Sequence, residues 1–430
     1  MDIITQNEEH SPAILIKNKR KSLQMTQKEL AKAVGMPKYG DRTIRRWENQ
    51  ESRPSQLELE HILDFTIKAP FPNDDSCKYS MIDLFAGIGG TRLGFYQTKK
   101  TKVVFSSEID KFAVKTYEAN FGETPHGDIT KIKASDIPDH DILVGGFPCQ
   151  AFSQAGKKLG FEDTRGTLFF EIARILEEKR PKAFLLENVR NLVSHDKGRT
   201  FKVIIETLKD LNYDVHYKIL RARDFGVPQN RERIYIVGFN KDKIKNYNEF
   251  TFPLPSGKKV CVGDILEDDV SYIYTISDRL WAGHKRRKKE NKLQGKGFGY
   301  TMFNKDSEYT NTLSARYYKD GSEILIEQEG KNPRKITPRE AARLQGFPER
   351  FIIPVSDTQS YKQFGNSVAV PVIHAIAENI IEVLDNSKKW LFVFYIKLRA
   401  LGSLFLRTLY KQFYIYILIH INWLSINPAI

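Results

Sequence analysis

Cysteine is scarce in this chain: Cys77, Cys149 and Cys261 are the three among 430 residues, far apart and odd in number. A disulfide framework is therefore excluded, and no cysteine–histidine spacing matches a zinc site, so no metal is expected. A reducing cytoplasm fits that usage. The N-terminus has neither a basic start nor a long apolar run, so a signal peptide is not expected. Apolar runs near the C-terminus are broken by charges well short of the ~20 residues that span a bilayer, so no membrane partner is expected. Acidic residues also cease after Asp385, while Lys388, Lys389, Lys397, Arg399, Arg407 and Lys411 follow. What the chain has in excess is basic charge, 67 residues against 53 acidic, a formal +14. That excess suits a polyanionic partner, and equally an ordinary basic protein.

The length accommodates two or three domains. Residues 1–67 read as short helices. Ala13 to Ser22 mixes Ile14, Leu15 and Ile16 with lysines and an arginine. Thr26 and Glu29 form a capping box ahead of Leu30, Ala33 and Val34. Gly35 closes that helix, Asp41 is expected to cap the next, and a fourth covers Gln56 to Ile67. Thr26-Gln27-x-Glu29-Leu30-Ala31 and Trp47-Glu48-Asn49 resemble the lambda-repressor type of helix-turn-helix, with a longer turn at Met36–Gly40. The resemblance implies that Arg42, Thr43, Arg45 and Arg46 face a DNA major groove, in a protein that pairs as a homodimer when it represses. A solvated protein–protein module is the alternative. Residues 68–79 read as a linker.

From residue 80 to 238, apolar strands alternate with helical segments, which implies an α/β fold with a doubly wound, mostly parallel sheet. The first strand runs into Ala86-Gly87-Ile88-Gly89-Gly90, a turn that lets a ligand approach the backbone at a helix start. Glu108 ends the next strand, near the spacing at which an acid meets ribose hydroxyls. Asp128 follows in a third unit. Asp141-Ile142-Leu143-Val144 then leads into Gly145-Gly146-Phe147-Pro148-Cys149, which leaves one thiol beyond a strand's C-terminal end, where such sheets place ligands. Taken alone, Cys149 is equally a small core hydrophobe. Glu187 ends another apolar strand, and Arg231 and Arg233 open the strand that closes this region, expected on one face by alternation.

In this order the segments Asp83–Gly90, Pro148-Cys149-Gln150, Glu187-Asn188-Val189, Gln229-x-Arg231-x-Arg233, Arg343–Pro348 and Gly365-Asn366-Ser367-Val368 resemble the motifs of the DNA (cytosine-5)-methyltransferase family. The resemblance implies S-adenosylmethionine as methyl donor, held by Phe85, Gly87, Gly89, Glu108, Asp128, Asn366 and Val368. It implies Cys149 as nucleophile on carbon 6 of a flipped cytosine in double-stranded DNA, Glu187 as the acid near ring nitrogen 3, and Arg233 with Arg231 at the ring carbonyl. The stretch 150–166 resembles a loop that closes on DNA, with Ser153 and Arg165 as phosphate contacts.

Residues 239–345 occupy the place of the family's target-recognition domain, and 346–386 return to complete the catalytic domain. Lys285–Lys289 is a basic run suited to phosphates or simply to solvent. Thr310–Ile326 resembles the recognition stretch of methyltransferases acting on CCNGG or CCWGG, of EcoRII and SsoII type. That likeness implies DNA contacts by Thr312 and Arg316, modification of the inner cytosine, and a cognate restriction endonuclease not necessarily in contact. Residues 387–430 have no place in the family pattern, and the last catalytic helix is expected to stop at Leu384-Asp385. A regulator with an idle catalytic region and an RNA methyltransferase are the competing readings; the complete Cys149, Glu187 and Arg233 set opposes the first, the long recognition region the second.

Overall fold

The computed structural model describes residues 11–23, 25–65, 68–148, 168–297 and 299–400, with side chains through Ser387. The chain divides between Ala69 and Pro70 into two units.

The N-terminal unit is helical: α1 (Pro12–Ser22), α2 (Gln27–Ala33), α3 (Gly40–Glu48) and α4 (Gln56–Asp64). Thr26 with Glu29 and Ser55 with Glu58 form complete capping boxes at the starts of α2 and α4. Ile16, Leu30, Ala31, Ile44, Trp47 and Ile62 make the core. Beside it Glu48 accepts from Gln27 Nε2 at 2.9 Å and Arg20 Nη2 at 2.9 Å, joining α1, α2 and α3. Asp41 does not cap α3. The helix starts at Gly40, after Tyr39 in the left-handed region at φ 73°. A Cβ on Gly40 would stand 2.5 Å from Met36 Cβ, so glycine is what lets the turn close one residue early. Asp41 instead sits in the first turn, where its negative charge complements the positive end of the helix dipole. Helix α4 ends at Asp64, short of the expected Ile67.

The second unit carries a six-stranded sheet ordered β2-β1-β3-β4-β6-β5. Its strands are β1 (Tyr79–Leu84), β2 (Thr101–Ser107), β3 (Ile142–Gly146), β4 (Ala183–Val189), β5 (Tyr213–Arg221) and β6 (Glu232–Asn240). Pairings β1–β2, β1–β3 and β3–β4 are parallel, while β6 runs antiparallel to both β4 and β5. Alternation sends Val144 and Leu185 to one face and Leu143 and Leu186 to the other. On the first face pack α5 (Gly90–Tyr96) and the long α12 (Val370–Ala400). On the second pack α7 (Leu168–Lys179) and α8 (Arg199–Asp210), joined through Phe169, Ile172, Ile204 and Leu208. Strand β1 has β2 on one side and β3 on the other, so the chain reverses direction across the sheet at β1, and the crevice of such folds opens there.

A third cluster joins α6 (Lys111–Phe121) to the recognition region through Tyr117, Phe121, Leu313, Tyr317 and Phe364. This region holds α9 (Asp278–Leu293), a small sheet of β7 (Met302–Phe303), β8 (Leu325–Ile326) and β9 (Arg334–Lys335), and α10 (Pro338–Leu344); α11 (Asp357–Asn366) follows in the return segment. The basic run 285–289 lies exposed on α9.

Two boundaries differ from expectation. The expected linker is anchored at two points, with Phe71 buried and Asn73 Nδ2 donating to Val103 O at 2.7 Å, while Pro72, Asp74, Asp75, Ser76 and Lys78 are exposed. Helix α12 does not stop at Asp385. It continues to Ala400, because the Asp385 carboxylate is answered by Tyr79 Oη at 2.7 Å and by Lys78, and no glycine or proline intervenes before Gly402. The span Asp357–Ser387 is long and apolar enough to cross a membrane by composition, but 61% of its 18-residue apolar window is buried in this unit, as a core helix would be.

Candidate active site

Gly146, the last residue of β3, pairs with Glu187 of β4, so the chain that continues to Cys149 leaves the sheet beside that carboxylate. A Cβ on Gly146 would stand 3.4 Å from Glu187 Oε2, and its absence keeps this side of the acid open. Asn188 Nδ2 donates to Phe147 O at 2.7 Å and pins the turn. Cys149, Ser153 and Arg165 lie outside the described residues.

Antiparallel pairing of β4 and β6 sets Glu187 opposite Tyr235 and Val189 opposite Arg233. Glu187 and Arg233 are therefore diagonal neighbours on one face, and Arg233 Nε reaches Glu187 Oε1 at 2.9 Å. Burial raises the Glu187 carboxyl above its ordinary value, and the charges of Arg233 and Arg231 oppose that rise. The product is an oriented carboxyl whose pKa stands above its ordinary value.

Arg231 does not share this face. It precedes β6, is buried, and gives its guanidinium to three main-chain carbonyls: Leu313 O at 3.2 Å, Gly365 O at 3.1 Å and Ser367 O. Strand alternation predicts a shared face only where the strand exists, and here β6 begins at Glu232. Burial, then the Arg233 charge, lowers Arg231 to about 9.

At the β1 end, Phe85, Gly87 and Gly89 all have positive φ, at 55°, 55° and 77°. Around Gly87 the space a Cβ would enter is open. Glu108 shapes the loop, accepting from Gly87 N at 2.8 Å, Ile109 N at 2.9 Å and Asp110 N at 2.8 Å. A Cβ on Gly90 would meet Ser367 Oγ at 2.6 Å and Val368 Cγ2 at 3.0 Å, so the return segment lies directly against the loop. Asn366 ends α11, exposed beside them. Asp128 follows the bridge between Ser107 and His126, its carboxylate accepting from Thr130 Oγ1 at 2.7 Å.

Thr312 and Arg316 belong to the recognition stretch. Thr312 Oγ1 donates to Asn230 O at 2.6 Å, and Arg316 is exposed. In the N-terminal unit Arg42, Arg45 and Arg46 are exposed along α3 and Thr43 is half-buried.

Sequence reasoning missed the roles of Asp83, Asn188 and Gln229. Asp83 is buried at the end of β1 with Oδ2 unpartnered, and burial, opposed by Arg92, raises it to about 7. A charged residue within an otherwise apolar strand was the available signal. Gln229, fully buried, stood in a quoted motif without a role.

The sheet order, the reversed sixth strand and the glycine turn define a methyltransferase fold. Solved structures of the same fold include the Entamoeba histolytica methyltransferase EhMeth, with a TM-score of 0.58 at 21% identity, and the S. pombe Dnmt2 methyltransferase, 0.58 at 20%; each match covers 71% of this chain and 99% of the other. The chain belongs to the C-5 cytosine-specific DNA methylase family, whose profile matches residues 79–382, and a helix-turn-helix profile matches residues 16–66. It is 73% identical over 389 residues to the Type II methyltransferase M1.ScrFI of Lactococcus lactis subsp. cremoris, covering 90% of this chain and all of that one. It is 69% identical over 374 residues to the Type II methyltransferase M.SsoII of Shigella sonnei, covering 87% and 99%. The protein is thus a DNA cytosine-5 methyltransferase with an added helix-turn-helix unit. The family uses S-adenosylmethionine, and the residues present fit it: open space at Gly87, an acid at the end of β2, and a buried Asp83 oxygen with no partner of its own.

Proposed function

We propose that this protein is the methyltransferase of a restriction–modification system, acting in the cytoplasm on the inner cytosine of CCNGG or CCWGG. The observation that carries the mechanism is the oriented, proton-biased Glu187 beside the turn that leads to Cys149. The Cys149 thiolate adds to carbon 6 of a flipped cytosine, forming a carbon–sulfur bond and pushing the ring electrons toward nitrogen 3. Glu187, held by Arg233, gives its proton there. Carbon 5 becomes enamine-like and gains the methyl group; a water takes the carbon 5 proton, the ring double bond re-forms and expels the thiolate, and nitrogen 3 returns its proton to Glu187. When bound, S-adenosylmethionine supplies an electrophilic methyl group. Phe85, Gly87, Gly89, Glu108, Asp128, Asn366 and Val368 hold it, with Arg233 at the ring carbonyl of the base.

The target assignment draws support from the Thr310–Ile326 stretch and from the similarity to M.SsoII and M1.ScrFI. Thr312 and Arg316 read bases there, and Ser153 and Arg165 hold phosphates. Exposed Arg42, Arg45 and Arg46, with Thr43, support a second role for the N-terminal unit: binding an operator as a homodimer and repressing transcription. A partner endonuclease need not touch this chain.

The test is trapping on a duplex bearing 5-fluorocytosine at the inner position of CCNGG, with S-adenosylmethionine present. Fluorine cannot leave as a proton, so an adduct that survives denaturant and disappears in Cys149→Ser is expected. Adducts on other fluorinated duplexes but none at this site would reject the target. No adduct on any duplex would reject the covalent mechanism.

A further inference from the structure

Gln229 and Arg231 are the most heavily committed buried polar side chains near the site, and base chemistry explains neither. Gln229 Oε1 accepts from Leu313 N at 2.9 Å, while its Nε2 donates to Leu344 O at 3.0 Å and to Gln345 Oε1 at 3.2 Å. Arg231 Nη1 donates to Leu313 O, and its Nη2 to Gly365 O and Ser367 O. Both main-chain polar groups of Leu313 are thus held by side chains two residues apart. The neighbouring main chains also zip together: Thr310 N donates to Pro228 O at 2.8 Å, and Asn230 N to Thr310 O at 2.8 Å. On the far side, a Cβ on Gly365 would stand 2.4 Å from Ala315 N, so the return segment presses on the same stretch.

A buried guanidinium answered only by carbonyls is costly to maintain, and Arg231 Nε has no partner. Simple packing would be served as well by an apolar residue. What this arrangement adds is directional: it fixes Leu313 through the peptide group on each side of it, and Thr312 and Arg316 stand on either side of that residue.

We infer that Gln229 and Arg231 are positioning residues for target discrimination. They lock the Leu313 peptide, and with it Thr312 and Arg316, at a set distance from Arg233, which stands two residues beyond Arg231. The inference rests on the reading of 310–326 as the DNA-recognition stretch. The run 229–233 then divides its work, with Gln229 and Arg231 aligning the sequence reader and Arg233 serving the base. Displacing a reading side chain by about 1 Å costs on the order of a hundredfold in productive geometry.

The test uses full-length protein and compares kcat and KM on the methylated duplex with those on duplexes carrying single base changes. For Arg231→Lys and Gln229→Met the ratio of kcat/KM between cognate and altered duplexes should fall about tenfold or more, mainly through a raised KM for the cognate. In Gln229→Met the KM for S-adenosylmethionine should stay within about twofold; that control is read on this variant alone, because Arg231 also holds Gly365 O and Ser367 O beside Asn366. Arg233→Lys should instead lower kcat on every duplex alike. Equal loss on all duplexes in the Arg231 and Gln229 variants would overturn the inference. Amide exchange of the wild-type protein gives a readout independent of variant folding: the Leu313 N–H should be as protected as strand β6, and rapid exchange would also overturn it. If the wild type methylates a different sequence, the target reading fails while discrimination is measured on that sequence instead. If it methylates none, the proposed function fails and Leu313 protection still judges the clamp.

Discussion

Arg334 meets Glu340 through two guanidinium nitrogens, at 2.7 and 2.8 Å, whereas Arg233 reaches Glu187 through Nε, at 2.9 Å. Glu340 is fully buried and Glu187 partly so, and their surroundings differ. Glu340 also accepts from Thr337 N at 2.9 Å and Glu267 N at 2.9 Å, which fills about the four acceptor positions a carboxylate offers. That pair ties β9 and α10 together and has no capacity left for a ligand. Glu187 retains acceptor and donor capacity on the side facing Gly146, and burial pushes its carboxyl upward. The same two residue types thus make a closed girder in one place and a carboxyl with hydrogen-bonding capacity to spare in the other, and the difference lies in how many hydrogen bonds the fold has already committed.

Isosteric amides separate the two roles most strongly. Glu187→Gln should lower methyl transfer by about 10²- to 10⁴-fold, the usual worth of a placed general acid, in a protein that still folds. Glu340→Gln should leave the chemistry intact wherever the protein is folded but cost about 3–5 kcal/mol of stability, because Arg334 would be left buried without its counter-charge. Single-turnover methylation and denaturant unfolding measure the two effects. If Glu187→Gln lost more stability than activity, the contrast between the pairs would collapse.

The next effect is smaller and depends on pH. The Glu187 pKa is raised, so the acid is present at low pH and is lost as pH rises through the raised value. The rate should therefore show an alkaline limb assignable to Glu187, and Glu187→Gln should abolish it. Linkage carries the same sign. The folded state holds this proton where the unfolded state has released it, so the group's contribution to stability is full below the unfolded pKa and falls as pH rises through the folded one. Wild type should then lose stability relative to Glu187→Gln across that window. A gap between the two that is independent of pH would show that Glu187 is ionised throughout.

These contrasts bear on what could be read before any coordinates. Strands were legible to within about two residues, because apolar runs of Val, Ile, Leu and Phe followed by Glu108, Glu187 or Gly145-Gly146 are local signals, although β4 runs on to Val189 and β3 takes in both glycines. The motif order gave the family and the doubly wound sheet. Committed hydrogen bonds were not legible, since they depend on partners distant in sequence: Arg231 finds carbonyls at 313, 365 and 367, which no spacing rule anticipates. The end of the last helix was misread for a related reason. Asp385 resembles a stop until Lys78 and Tyr79, some 300 residues earlier, are seen to answer it. The cap at Asp41 failed locally, through a glycine whose close approach to Met36 starts the helix early.

The smallest expected effect sharpens the girder half of the comparison. Thr26 with Glu29 and Thr337 with Glu340 are chemically identical capping boxes. The first is exposed, and its threonine serves only the helix start; the second is buried, and Thr337 Oγ1 also donates to Glu267 Oε2 at 2.5 Å. Thr26→Ala should cost about 1 kcal/mol, the ordinary worth of a cap, and loosen amide protection in α2 alone. Thr337→Ala removes the same cap and also leaves the Glu267 carboxylate short of a donor in a half-buried setting, which adds about another 1 kcal/mol and should loosen α10 together with the segment around Glu267. Equal costs at the two sites would mean that Arg334 alone holds Glu340 in place and that the threonine there is only a cap. A larger cost at Thr337 would show the Arg334–Glu340 pair to be one member of a network that includes Thr337 and Glu267, in contrast to the open carboxyl of Glu187.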